Sequence, residues 1–179
     1  MTEVILDIEN IDATLGFQIL EHKPLPSERP DWSLLVPNLK KRLHSPAEIS
    51  AVAVLKEASG EKAIPQLKFA NFLKHIGWRT VFAQTFASRN SIPLSRDLVD
   101  DVTAYLLTSS RAGTVLVGGM DKYAAGCLAD QKARGARVGV VGFQEFISDS
   151  IAPVVGDCFF DLEFDLGLFR QPLPRIRLF

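Results

Sequence analysis

Little in this chain ties it to a membrane, a polyanion or an oxidising compartment. Its 179 residues carry 20 Lys and Arg against 21 Asp and Glu, a formal net charge of −1. No global field therefore draws in nucleic acid or an anionic bilayer, and any basic surface has to be local. No apolar run reaches the about 18 residues that mark a membrane helix, so no membrane span is expected. Met1-Thr2-Glu3 places no basic stretch before a short apolar one, so this end does not read as a secretory signal. Cysteine is scarce. Cys127 and Cys158 fall on expected core elements without CxxC spacing, which reads as buried, reduced thiols and points to the cytoplasm. His22, His44 and His75 form no HxxxH, no Cys–His cluster and no Ser-His-Asp order. Gly118-Gly119 is too short to be a GxGxxG or P-loop phosphate cradle.

What the chain does have is apolar content, 47%, enough for the core of one ordinary domain. Two apolar runs end in acids: Val4-Ile5-Leu6-Asp7-Ile8-Glu9-Asn10 and Val115-Leu116-Val117-Gly118-Gly119-Met120-Asp121. A third, Val138-Gly139-Val140-Val141-Gly142, ends in a glycine turn. Continuous apolar runs are the mark of parallel strands covered by helices on both faces. Ligands of such sheets collect at the carboxyl ends of the strands, so acids there are candidates for gripping a divalent cation.

Periodicity and turn residues predict strands over residues 2–8, 51–55, 78–84, 114–117, 137–141 and 158–162. Helices are expected after Pro37, over 65–76 with a Phe69, Phe72, Leu73 and Ile76 stripe, over 96–108 with Ser95 as cap, from Asp121 to Arg134, and over 146–154. The apolar face of the 96–108 helix reads as Leu98, Val102, Tyr105 and Leu106. Residues 12–45 read as an irregular insertion, because Gly16, Pro24, Pro26 and Pro30 interrupt any period. Strand–helix alternation predicts a three-layer α/β/α sandwich with a mainly parallel central sheet, spanning residues 1–167. Residues 168–179 form an apolar and basic tail whose Pro172 and Pro174 favour an extended course. Phe169, Leu173, Ile176, Leu178 and Phe179 carry too much apolar surface for a solvated end. The tail is therefore expected to lie in a groove of its own domain or of a second copy, the latter giving a homo-oligomer.

Several acids compete for a site role. Asp7 and Asn10 make an Asp-x-x-Asn exit from the first strand, suited to a hard cation or to a capped turn. Asp97 sits in the first turn of a helix with Asp101 one turn on, where the helix dipole alone favours acids; Asp100 reads as the solvated member. Asp121 is either the N-cap of the next helix or a metal ligand. Asp157, ahead of the last strand, either faces the same end or closes a turn.

In their order and spacing these pieces resemble an NYN domain of the LabA-like kind, a branch of the PIN-like metal-dependent nucleases. Ile5-Leu6-Asp7-Ile8-Glu9-Asn10 is similar to the family's opening strand and its Asp-x-x-Asn. Ser95-Arg96-Asp97 falls where the family shows Lys-Gly-x-Asp, and Gly118-Gly119-Met120-Asp121-Lys122-Tyr123 where it shows Ser-Gly-Asp-x-Asp-Phe. Ala133-Arg134-Gly135-Ala136-Arg137-Val138-Gly139-Val140-Val141-Gly142 resembles Arg-Gly-x-x-Val-x-Val-x-Gly, and Gly156-Asp157 the closing Asp. The resemblance covers neither residues 12–45 nor the tail. It implies a metal-dependent endoribonuclease in which Asp7, Asp97 and Asp121 hold Mg²⁺ or Mn²⁺, Asn10 orients water or phosphate, and Arg89, Arg96 and Lys122 contact single-stranded RNA. Leu94 stands in place of the motif lysine, and Met120 and Lys122 in place of two acids, with Asp121 between them. These departures leave a second reading: a catalytically weakened module that binds RNA or protein in a regulatory role. A receiver-like phosphorylation fold fits less well, for lack of paired acids at strand one.

Overall fold

The computed structural model describes residues 1–119 and 123–176. Asp121 and Lys122, and with them the expected start of a helix at Asp121, lie outside the described residues, as do residues 177–179. Six strands form one sheet: β1 (Thr2–Asp7), β2 (Ile49–Leu55), β3 (Arg79–Phe82), β4 (Thr114–Gly118), β5 (Arg137–Gly142) and β6 (Phe159–Asp161). Their order is β3-β2-β1-β4-β5-β6 and every pairing is parallel. The chain winds outward from β1 in one direction, then returns and winds outward from β4 in the other. That reversal opens a crevice at the carboxyl ends of β1 and β4.

Both faces of the sheet are apolar because alternate residues serve different layers. Val4, Leu6, Ala51, Ala53 and Leu116 pack under α1 (Ile8–Thr14), α2 (Leu35–Leu43) and α3 (Ala63–His75). Ile5, Val52, Val54, Val115 and Val117 pack under α4 (Ala83–Arg89), α5 (Leu98–Ser109), α6 (Ala124–Ala133) and α7 (Ala152–Val155). The result is the expected three-layer α/β/α sandwich. No helix among the described residues is long and apolar enough to cross a membrane. Both thiols are free, with Cys158 buried and Cys127 half-buried on α6.

The structure departs from the sequence expectations in several places. Residues 12–45 are not irregular throughout. Helix α1 runs into a π-helical turn, Leu15–Leu20, and Ile8, Ile11, Leu15 and Ile19 are all buried. Gly16 is required there, since a Cβ would come within 2.8 Å of the Pro24 ring. Strand β3 stops at Phe82 and α4 takes over. The Glu57 carboxylate, from the loop after β2, accepts the Gln84 and Thr85 backbone N–H groups at 2.8 and 2.6 Å. This cap from a distant loop satisfies two orphan donors of the first turn and is invisible to local reading. On α3 the buried positions are Ala70 and Leu73, while Phe72 is 42% exposed. On α5 they are Val102, Thr103, Leu106 and Leu107, and Tyr105 faces out. Ser95 does not cap that helix; its Oγ donates to Asp101 Oδ2 at 2.6 Å. Over 146–154, a 3-10 turn at Gln144–Phe146 precedes the short α7, whose first turn contains Pro153. Proline suits that position because its missing N–H has no helical partner to lose.

The tail, as far as Ile176, lies on its own domain. Leu168 and Leu173 belong to the core beside α1–α3, the Asp31 N–H donates to the Leu168 carbonyl, and the Phe169 ring meets Phe143 at 6.0 Å. Its anchor is polar: the Arg175 side chain is 1% exposed and pairs with Glu145, Asp161 and Glu163. Ile176, expected to be buried, is 84% exposed.

Candidate functional site

Asp7 ends β1 and is the N-cap of α1, so the central strand fixes its position in the crevice. It is 6% exposed, and its Oδ1 accepts the Asn10 N–H at 3.0 Å. The Asp-x-x-Asn spacing thus makes a capped turn, as the bland reading of it required. A cap alone would hold the acid ionised, but here burial outweighs it. Desolvation pushes the Asp7 pKa up to about 7; the Asn10 N–H pulls down, and the nearby charges of Asp100 and Glu9 push up. Gly119 (φ +83°) turns directly over this residue, and a Cβ there would overlap the Asp7 carbonyl. Gly119, the residue after β4, therefore allows a close approach to Asp7 itself.

Asp7 opens into a cavity of about 370 Å³ that holds most of the expected site. Asn10, Arg96 and Asp97 line it. The Asp97 side chain makes no capping bond although it stands at the N-cap of α5. Asp100 also lines it, half-buried, and acts on Asp7; it is not the solvated member of its group. Asp101 is spent on Ser95. Arg89, in the last turn of α4, is not on the lining. Asp157 precedes β6 and so stands at the amino edge of the sheet, away from this crevice. Three polar lining residues were not anticipated: Lys56, Glu57 and Gln84. Glu57 and Gln84 serve the α4 cap, which leaves Lys56 as the added cation. Its place directly after a strand was the available signal. Asn10 also lines a neighbouring cavity of about 400 Å³ with Gly119, Gly142 and Ser148, so it stands between two recesses at the point where the strand order reverses.

The donor set is chemically consistent with a hard cation. Carboxylates and an amide supply oxygen only, and Mg²⁺ in particular keeps several waters while taking one or two carboxylates directly. Among the described residues no three His, Cys, Asp or Glu are grouped so as to hold a metal by themselves. The described partners are thus Asp7 with Asp97 or Asp100, and Asp121 lies outside the described residues.

No family model matches the chain, and no curated protein does. Among solved structures the chain is similar to the crystal structure of VPA0982 from Vibrio parahaemolyticus RIMD 2210633, itself a protein of unknown function. The two are 14% identical with a TM-score of 0.61, over 92% of this chain and 94% of that one, a likeness that extends to the fold.

Proposed function

We propose that the Asp7 pocket binds Mg²⁺ or Mn²⁺ and cleaves phosphodiester bonds of single-stranded RNA. The observation that carries this reading is Asp7: a buried acid at the tip of a central strand, with its pKa at about 7 and a second acid pressing on it. Such a group gains most from an incoming cation, which replaces its proton and relieves the repulsion from Asp100. Asp7 and Asp97 would hold the ion, with Asp121 as a further candidate ligand. When bound, the ion supplies charge for a phosphate oxygen and lowers the pKa of an attacking water. Asn10 orients that water or a phosphate oxygen from between the two recesses. Arg96 and Lys56 meet the strand's phosphates as it enters.

The second reading, a regulatory module that binds RNA without cutting it, draws on Met120 and Lys122, which stand in the sequence where the NYN-like motif carries acids. One experiment separates the two: labelled single-stranded RNA incubated with Mn²⁺, with EDTA, and with the Asp7→Asn variant. Cleavage that needs Mn²⁺ and is lost in Asp7→Asn supports the nuclease. Retained RNA binding with no cleavage at saturating Mn²⁺ supports the module. Cleavage undiminished in Asp7→Asn places the chemistry elsewhere.

A further inference from the structure

A cavity of about 550 Å³ lies across the first turn of α1 from the Asp7 pocket and contains none of the expected site acids. Its volume is within the roughly 300–1,000 Å³ common for small-ligand sites. The apolar wall is built from Ile11, Leu55, Phe69, Phe72 and Trp32. Phe69 and Phe72 stack on each other with centroids 6.5 Å apart, and the 42% exposure of Phe72 leaves apolar ring surface with no protein cover.

The polar groups sort by commitment. Arg29 is paired with Asp12, its Nε donating to Oδ1 at 2.8 Å. Glu9 accepts the Lys56 N–H, and Gln66 bridges the Lys56 carbonyl and the Ala58 N–H. Lys62 and Arg170, both exposed, have no acidic partner among the described residues. The cavity therefore presents an aromatic wall and two uncommitted cations. A hydrocarbon chain would use the wall and leave both cations without a counter-ion. A flat heteroaromatic ring attached to an anion satisfies both.

We infer that this cavity is a nucleotide-binding site, with the base against Phe69 and Phe72 and the phosphate at Lys62 and Arg170. The inference is independent of any chemistry at Asp7. Its ligand is either a free mononucleotide or a nucleotide within a strand, and the test has an arm for each.

Trp32 lines the cavity and is 4% exposed, and it is one of only two tryptophans, so bound ring stacking reports through intrinsic fluorescence. The protein is titrated without metal with AMP, with an eight-nucleotide oligoadenylate, and with dodecanoate as an apolar anion. Saturable quenching by AMP identifies a free-nucleotide site; quenching by the oligonucleotide alone identifies a strand subsite. Either result supports the inference. Phe72→Ala is expected to weaken binding about fivefold or more, since a base–aromatic stack is lost. The double variant Lys62→Ala, Arg170→Ala is expected to weaken it about tenfold or more. All three altered side chains are exposed, and matching thermal melts confirm that the variants fold. No quenching by either nucleotide, quenching by dodecanoate alone, or affinities unmoved in the variants would overturn the assignment.

Discussion

Replacing Arg175 by Met should cost more than any other single change in the tail. All five guanidinium N–H donors are used. Nε and one Nη2 hydrogen go to Glu145 at 2.6 and 2.5 Å; Nη1 and Nη2 go to Asp161 at 3.0 and 2.7 Å; Nη1 also reaches Glu163 at 3.0 Å. The group lies between the Phe143 and Phe164 rings, 4.8 and 4.6 Å from their centroids. Methionine fills much of the volume but leaves Asp161, itself 1% exposed, facing Glu145 and Glu163 with no counter-ion. Removing one partner of a buried ion pair costs about 3–5 kcal/mol, because the remaining charge stays buried. For a domain of this size that lowers Tm by about 6–20 °C. The loss is pH-dependent. Burial alone would raise the Asp161 pKa, but Arg175 and the Phe164 and Gln144 N–H groups outweigh it and hold the acid below its usual range. Stability from such a group is present above the unfolded carboxylate pKa and fades as pH falls through the lower folded value. The gap between wild type and Arg175→Met, measured by urea denaturation, should therefore be full at pH 7 and narrow below about pH 4. A variant within about 1 kcal/mol of wild type at pH 7 would refute the claim that this cluster seats the tail.

Asp7→Asn should stabilise the metal-free protein. The folded pKa of about 7 stands above the model-peptide value of 3.8, so the folded state holds the proton more tightly, and stability is lost as pH rises from about 4 to 7. Asparagine mimics the protonated form and keeps an oxygen for the Asn10 N–H. Three pH units set an upper bound on the order of 4 kcal/mol at pH 8, shrinking towards zero at pH 4, as read by metal-free denaturant melts. Truncation before Leu168 should unfold or strongly destabilise the chain by removing Leu168, Leu173 and Arg175 together. If the tail serves its own domain, light scattering on any folded fraction returns the wild-type mass, whereas a halved mass would show tail exchange.

The layered fold was legible because its signal is local. Val4-Ile5-Leu6 and Val115-Leu116-Val117 are apolar at every position, which in the structure means burial on both faces. Asp7, Asn10, Arg96 and Asp97 were legible by position, at a strand end and a helix start on the same edge of the sheet. What escaped depended on distant partners. Helix α4 is capped by Glu57, 27 residues earlier in the chain, and local propensity at Trp78 to Gln84 favoured more strand. Arg175 reads as a solvated basic residue until Glu145, Asp161 and Glu163 surround it. Asp100 and Asp101 are adjacent and chemically identical in sequence. Only the turn holding Ser95 assigns Asp101 to a local bond and leaves Asp100 facing Asp7.

The central claim is that the Asp7 carboxyl exchanges its proton for a divalent cation. Electron paramagnetic resonance of free Mn²⁺, titrated with the protein between pH 5 and pH 8, tests it without relying on catalysis. The apparent affinity is expected to rise up to about tenfold per pH unit below about 7, to level off above that value, and to vanish in Asp7→Asn. An affinity that ignores pH across this range, or that survives Asp7→Asn, would contradict it.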